Sequence, residues 1–189
     1  MRTIHPIETR SYEILRSRVD TSGLPPLTRA VTERVIHASA DLGYLEDLVC
    51  DEDSLERAAA ALRDGAAVVV DVEMVAAGIT HRDVVCGLAD ADPVDGLTRS
   101  AAGIRHAASL VGPGAVYVIG CAPTALYEVI ASAPAPALVI GLPVGFVGAA
   151  ESKSELRASG LPAVSNICEK GGSAVAAAAL NALIYGGAA

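Results

Sequence analysis

The stretch APALVIGLPVGFVGAAESKSELRAS, residues 135–159, predicts the fold class because it contains a strand, a loop and a helix in succession. Its apolar run LVIG is continuous, which is typical of a strand buried on both faces of a parallel sheet. Gly145 and Gly148 then allow a tight loop. The spacing S-x-x-E at 152–155 matches a capping box and predicts a helix start with Lys153 in its first turn. A strand that leads into a helix in this way indicates an α/β protein.

The same alternation continues on both sides of this stretch. Predicted strands cover residues 66–74, 83–88, 115–120, 135–143 and 162–168. Helical sequences separate them, so right-handed crossovers and helices on both faces of the sheet are expected. The sequence therefore predicts a three-layer α/β fold with a parallel sheet of about five strands. Ligands of such sheets bind at the carboxyl ends of the strands.

The first 64 residues predict three helices, so the sheet is expected to carry an N-terminal helical arm. The first helix, over 6–19, aligns Ile7, Ser11, Ile14 and Arg18 along one side. The second, over 26–45, has an apolar stripe of Leu27, Val31, Val35, Ala38 and Leu42. Because Ser11 shares a side with isoleucines, its hydroxyl is expected to be partly buried and to bond a backbone carbonyl or a ligand.

His37 lies roughly 120° from the centre of the apolar stripe of the second helix, so it is not expected to fill the core. Glu33 and Asp41 are its neighbours four residues away on either side, and their charges favour the imidazolium. An imidazole titrates close enough to neutral pH to act as a general acid. The helical pattern alone leaves two readings open, a catalytic histidine and an ordinary surface histidine.

Length and composition restrict the class of protein. The 189 residues, 52% hydrophobic and 19% charged, fit one domain over 1–189 without a linker. A net charge of −8 disfavours nucleic acid and anionic membranes as partners. The charged N-terminus lacks the apolar run of a signal peptide, and no apolar tract reaches the roughly 20 residues of a membrane span, so we expect a cytoplasmic protein.

The cysteines do not form a recognisable site. Cys50, Cys86, Cys121 and Cys168 are widely spaced, contain no C-x-x-C pair and do not cluster with the histidines. Neither a metal site nor a disulfide framework is therefore expected. We interpret the cysteines as small core residues.

Three predicted strand ends place a cation beside a helix start. Lys153 follows one strand, Lys170 precedes a predicted N-cap at Ser173, and Arg99 follows a predicted N-cap at Thr98. A cation has the wrong sign for the helix dipole there, so the set predicts a site for a ligand with several acidic groups. The alternative is that each is an ordinary solvated side chain. Phosphate-binding motifs of nucleotide sites are absent from the sequence, which makes a nucleotide-binding enzyme the weaker reading.

Several motifs together resemble the precorrin-8X methylmutase family of cobalamin biosynthesis. They are TRSYEILR, ERVIHAS, DVEMVAAGIT, TRSAAG, APTALYEVI, LPVGFVGAAESKSEL and KGGSAVAAAALNAL, and they cover nearly the whole chain. The resemblance implies a flavodoxin-like α/β homodimer. It also implies an isomerase that binds a corrinoid and moves a methyl group from carbon 11 to carbon 12 of the macrocycle. No metal or organic cofactor is implied.

The resemblance also assigns roles to residues of this chain. It implies that His37 is the catalytic histidine and that Ser11 and Arg99 contact the substrate. The other substrate-binding candidates are Thr80, Thr124, Gly145, Phe146, Lys153 and Ser173. Gly145 and the flat ring of Phe146 would let the protein approach a broad planar ligand, although Phe146 as a plug of the core beneath the loop is an equal alternative.

Two positions depart from the family pattern. Cys121 stands before A-P-T-A-L where asparagine is expected, and Glu169 stands before K-G-G-S where a more basic residue is expected. Either change can alter a contact without abolishing turnover. A corrinoid-binding protein without catalytic activity is the alternative function.

Overall fold

The computed structural model describes residues 5–80 and 82–186 of the chain. Its helices are α1 Pro6–Arg18, α2 Pro26–Ser39, α3 Tyr44–Asp47, α4 Glu52–Arg63, α5 Glu73–Gly78, α6 Arg99–Val111, α7 Pro123–Ser132, α8 Ala149–Ala158 and α9 Ser173–Ile184. Its strands are β1 Leu48–Cys50, β2 Val68–Val70, β3 Val85–Cys86, β4 Val116–Ile119, β5 Leu138–Gly141 and β6 Ala163–Asn166. Part of the charged N-terminus on which the signal-peptide argument rests lies outside the described residues.

In the described part of the chain the strands form one sheet in the order β1-β6-β5-β4-β2-β3. The five predicted strands, β2 to β6, are all present and parallel. Numbered among themselves they run in the flavodoxin-like order 2-1-3-4-5, so this prediction is confirmed. The edge strand β1 was missed. It is three residues long and pairs antiparallel to β6, and so short a run carries no periodic signal.

Both faces of the sheet are buried, as the continuous apolar runs predicted. In β4, Val116 and Val118 face one layer, which contains α4, α5 and α9. Tyr117 and Ile119 face the other layer, where α6, α7 and α8 pack. The alternation follows from the two-residue period of a strand. Because every residue of β4 is buried, polar groups can be presented only at the ends of the strand.

Helix α9 connects the sheet to the N-terminal arm. Nine consecutive residues, Val175–Leu183, are buried, so the helix is covered all round by protein. Most of them are alanines, whose small side chains allow α2 to pack closely on the outer side of α9. The arm therefore adds a partial layer outside the three predicted ones, and this position of α2 determines where His37 lies.

The arm differs from its prediction in two details. Helix α2 ends at Ser39 because Ala40 takes a left-handed conformation (φ 55°), so Leu42 lies outside the helix. Ala38, predicted to belong to the apolar stripe, is exposed. In α1 the core side chains are Tyr12 and Leu15, whereas Ile7 is 74% exposed. The predicted apolar side of α1 is thus its outer face, since both faces of this helix carry apolar residues.

No helix in residues 5–80 and 82–186 is long and apolar enough to cross a membrane. Within the same residues, no group of three or more His, Cys, Asp or Glu side chains is arranged to hold a metal ion. All four cysteines are free thiols.

A larger side chain in α9 tests how closely this helix packs against the sheet and α2. Ala179→Leu is expected to lower the free energy of unfolding by about 1–3 kcal/mol, because Ala179 is fully buried and the larger side chain has no space. Ala174→Leu, at an exposed position of the same helix, is the matched control and should change it by less than about 0.5 kcal/mol. Denaturant unfolding measures both. Equal losses in the two variants would contradict this packing.

Candidate functional site

His37 lies in the last turn of α2 with its side chain exposed, as its position off the apolar stripe predicted. The hydroxyl of Ser11 on α1 is 2.8 Å from His37 Nδ1. Tyr12 stacks on the imidazole with ring centroids 5.0 Å apart and an interplanar angle of 11°. These contacts fix the plane of the imidazole, so Nε2 has a defined direction. The hydroxyl of Ser11 thus bonds a side chain, whereas the sequence predicted a backbone carbonyl or a ligand as its partner.

A buried carboxylate holds α1 and α2 together beneath this pair. Glu33 on α2 accepts hydrogen bonds from Arg16 Nη2 of α1 (2.7 Å), from Arg29 Nε (2.9 Å) and from Thr21 Oγ1 (2.5 Å). Burial opposes ionisation, but these donors outweigh it and lower the pKa of Glu33 to about 2. The bonds keep the crossing of the two helices, and hence the Ser11–His37 contact, in one geometry.

The two carboxylates expected to favour the imidazolium are held by other cations. Glu33 is buried against Arg16 and Arg29. Asp41 lies beyond the end of α2, where its Oδ2 is 2.9 Å from Lys170 Nζ. The expectation that both serve His37 as helical neighbours is wrong for Asp41, because the helix ends before it.

Thr80 belongs to the same neighbourhood through a chain of side chains. Its hydroxyl bonds the hydroxyl of Tyr185, and the guanidinium of Arg34 lies 5.0 Å from the centre of the Tyr185 ring. Arg34 in turn donates to Tyr12 OH (3.3 Å) and to a carboxylate oxygen of Glu8 (2.7 Å). We call Ser11, Tyr12, Arg34, His37, Thr80 and Tyr185 the His37 cluster.

Sequence reasoning missed Tyr12, Arg34 and Tyr185. The only available signal was that Arg34 precedes His37 by three residues, a spacing that puts two side chains on one helix face. Beside the cluster lies a groove of about 460 Å³. It is lined by Pro6, Ile7, Arg10, Ser11 and Ile14. The exposed outer face of α1 is thus part of this groove.

A second group of candidates lies at the carboxyl ends of the strands. Thr98 caps α6 as predicted, with its hydroxyl 3.3 Å from the backbone N of Ala101. The same hydroxyl is 2.8 Å from Thr124 Oγ1 at the start of α7. Arg99, the first residue of α6, is exposed. Arg99 and Thr124 are therefore neighbours on one rim.

The turn before α7 already binds a carboxylate of the protein itself. Asp71, at the end of β2, accepts hydrogen bonds from the backbone N–H groups of Gly120 (3.1 Å), Cys121 (2.8 Å) and Ala122 (2.9 Å). Burial raises the pKa of Asp71, although these three bonds oppose the rise. Backbone donors that elsewhere bind a ligand anion are therefore occupied here, which leaves the hydroxyl of Thr124 as the polar group that this turn exposes.

The loop between β5 and α8 presents Phe146 to solvent. Phe146 is 97% exposed, so the alternative of a core plug is wrong. Gly145 (φ 146°) and Gly148 (φ 79°) both have conformations that other residues rarely adopt. A Cβ added to Gly148 would lie 3.5 Å from Pro123 Cβ, so the loop packs beside the start of α7.

Lys153 and Ser173 do not have the predicted positions in their helices. Helix α8 begins at Ala149 with Gly148 as N-cap, and Ser152 Oγ bonds the carbonyl of Ala149. The prediction that Ser152 caps this helix in a capping box is therefore wrong. Lys153 lies in the second turn with 0% exposure, so it cannot reach a ligand on the surface. Ser173 is the first residue of α9 and follows Gly172, which is the N-cap.

The three cations predicted for the rim thus differ in burial and in bonding partners. Lys153 is buried, and Lys170 is bound to Asp41 and lies 4.5 Å from the ring centre of Tyr44. Arg99 is the one of the three that is exposed at a helix start. The Lys170–Asp41 bridge nevertheless ties the end of α2 to the loop after β6. Since Gly145 N donates to Glu169 O of that loop (3.2 Å), the His37 and Phe146 regions are connected.

Glu33 also governs the response of stability to acid. Its folded pKa of about 2 lies below the ordinary 4.5, so it stabilises the fold above pH 4.5, and this stability is lost as the pH falls towards 2. Glu33→Gln is expected to cost about 3 kcal/mol near neutral pH and to flatten that acid dependence. Unfolding measured against pH tests this. Glu13→Gln removes an exposed pair with Arg10 and should cost less than about 1 kcal/mol; an equal cost would contradict the assignment.

Comparisons with known proteins agree with the fold and the motifs. The sequence model of the family described as precorrin-8X methylmutase matches residues 6–186. A precorrin-8X methylmutase of Pseudomonas aeruginosa is 41% identical, over 94% of this chain and 93% of its own. A cobalt-precorrin-8 methylmutase of Methanocaldococcus jannaschii is 37% identical, over 94% of this chain and 88% of its own. The crystal structure of a precorrin-8X methylmutase from Thermus thermophilus superposes with a TM-score of 0.86 at 34% identity, and covers 97% of this chain and 98% of that one.

Proposed function

The chain belongs to the precorrin-8X methylmutase family, and from that premise we propose how its residues carry out the reaction. Enzymes of this family are isomerases that catalyse a methyl migration in cobalamin biosynthesis. For this chain, the proposed reaction moves the methyl group from carbon 11 to carbon 12 of precorrin-8X and gives hydrogenobyrinate. The cobalt-containing substrate, which would give cobyrinate, is equally compatible, because relatives are named for both forms.

His37 is the proposed general acid. The observation that carries this role is the 2.8 Å contact of Ser11 Oγ with Nδ1, which orients an exposed imidazole. A protonated His37 donates Nδ1–H to Ser11 and presents Nε2–H to the substrate. Transfer of that proton to a ring nitrogen makes the macrocycle electron-poor and eases the methyl shift. The proton returns to His37 afterwards, so the net reaction is an isomerisation.

The substrate is proposed to lie between the His37 cluster and the carboxyl ends of the strands. Its peripheral carboxylates suit the guanidinium of Arg99 and the hydroxyls of Thr124, Ser173 and Thr80. The backbone at Gly145 and the ring of Phe146 approach the planar macrocycle, which supplies apolar contact without charge. Lys153 is left out of this set of direct contacts, because its side chain is buried.

A homodimer and a cytoplasmic location complete the proposal. Phe146 and Val147 (89% exposed) are two adjacent exposed hydrophobic residues, and Ile7 exposes another apolar side chain on α1. A second copy of the chain would cover part of this apolar surface. In such a dimer the arm of one protomer can contribute to the site of the other. The four free thiols are compatible with a reducing compartment.

Replacing His37 tests the catalytic role. His37→Ala is expected to lower the rate of precorrin-8X conversion by about 10²–10⁴-fold, because the proton donor is lost, while the corrinoid product still binds. The matched control is His106→Ala on α6, outside the His37 cluster, which should keep the wild-type rate. The reaction is followed by absorbance with excess substrate. Undiminished turnover by His37→Ala would remove the histidine from the mechanism.

Replacing Phe146 tests the contact with the macrocycle. Phe146→Ala is expected to raise KM at least about tenfold with little change in kcat, because an apolar contact made equally to substrate and transition state is lost. Leu110→Ala, at an exposed position of α6, is the control for removing a surface hydrophobic group. Steady-state kinetics of both variants give the comparison, and an unchanged KM for Phe146→Ala argues against the contact.

A further inference from the structure

Lys153 is a buried cation whose three donors are all used by oxygens of the protein. Its Nζ donates to Asn166 Oδ1 (2.9 Å), to the carbonyl of Lys170 (2.8 Å) and to the carbonyl of Cys168. An ammonium group has three N–H donors, so the number of donors equals the number of acceptors. Two of the acceptors are backbone carbonyls of one short segment, residues 167–172, which we call the β6–α9 loop.

Asn166 holds the same loop from the end of β6. Its Nδ2 donates to the carbonyl of Lys170 (2.9 Å) and to Asp47 Oδ2 (2.9 Å). The other oxygen of Asp47 accepts from the backbone N–H groups of Ile167 (2.9 Å) and Cys168 (3.1 Å). The loop is therefore fixed through its backbone by three side chains, and of these Lys153 is the one that comes from α8, the helix that follows the Phe146 loop.

The β6–α9 loop is in turn bonded to three segments that lie beside groups proposed to meet the substrate. Its Glu169 carbonyl accepts from Gly145 N (3.2 Å), beside Phe146. Gly172 N donates to the carbonyl of Leu142 (2.9 Å), immediately before Ser173. Lys170 binds Asp41, which follows the end of α2 and lies four residues after His37 in the chain. A displacement of this loop would therefore move Phe146 and Ser173 relative to one another.

The free-energy cost of burying an ammonium group indicates that Lys153 does more than stabilise the fold. Burial lowers the pKa of Lys153 to about 8; Cys168, Asp47 and Glu169 oppose this shift, and the charge of Arg157 adds to it. An ammonium in the protein interior costs free energy, which apolar packing of the same volume would avoid. An apolar side chain cannot supply three directed donors, two of which here bind the backbone of the loop and the third the side chain of Asn166.

We infer that Lys153 is a positioning residue that fixes the β6–α9 loop, and through it the corrinoid-binding surface formed by Phe146 and Ser173. The inference rests on the proposed function for its ligand. It assigns Lys153 no contact with substrate and no proton transfer. Loss of the three bonds should weaken the binding of the substrate and of the transition state equally, because both bind to the same surface.

Lys153→Met, which keeps an unbranched side chain one atom shorter and removes the donors, tests this. It should raise KM for precorrin-8X at least about tenfold and leave kcat within about threefold. Hydrogen exchange of the Gly145 and Gly172 amides, measured without ligand, should accelerate at least about tenfold. Should Lys153→Met fail to fold, Lys153→Gln, with two amide donors, is expected to show the same changes at smaller size.

Arg157→Met is the matched control. Arg157 lies one turn later in α8 and donates to Ser165 Oγ (3.1 Å) and to the carbonyl of Asn166 (2.8 Å), so it binds β6 instead of the loop. It should lower stability without changing KM or the two exchange rates. Unchanged exchange in a folded Lys153 variant, equal changes in Arg157→Met, or failure of both Lys153 variants to fold would overturn the inference. An inactive wild-type protein would overturn the proposed function, and exchange alone would then decide the role of Lys153.

Discussion

The burial of α9 between the sheet and α2 is the constraint on which the candidate site depends. The alanines of this helix are small enough for α2 to pack closely against it, and the carboxyl end of α2 carries His37. The first residue of α9 is Ser173, and the loop before it contacts both Asp41, just after α2, and the Phe146 loop. One tightly packed helix therefore sets the distance between the proposed acid and the proposed binding surface, because close-packed interiors do not deform continuously.

Charges near the site are mostly neutralised by the protein itself. Asp71 occupies the backbone donors of the turn before α7, and Asp41 binds Lys170. Glu33 is held by Arg16 and Arg29. This pairing leaves Arg99 exposed on the rim, together with hydroxyl groups and an exposed aromatic ring. Such a surface suits a large planar ligand with peripheral acids better than it suits a compact phosphate, in spite of the net charge of −8.

The successes and errors of the sequence predictions have physical reasons. Apolar runs, rich in valine and isoleucine in most of the strands, revealed the five parallel strands, since strands buried on both faces are mostly apolar. The angle of His37 on its helix was sufficient to exclude a core role. The position of Lys153 was predicted wrongly because Gly148, a glycine in a left-handed conformation, caps α8 four residues before the predicted cap at Ser152. Ser11 and His37 were found separately, but a contact across 26 positions of the chain has no local signal.

Local patterning thus settled the fold class, the parallel strands, the cap at Thr98 and the residues worth testing. These properties depend on backbone conformation and on the period of apolar residues, which neighbouring residues in the chain control. The partners of those residues were decided by packing between distant elements. Ser11 meets His37 because Glu33 and Arg34 of α2 bind side chains of α1. Lys153 lies inside because α8 covers the end of β6. The free energy of burying a charged or polar group depends on what surrounds it in three dimensions, and a linear pattern does not contain that information.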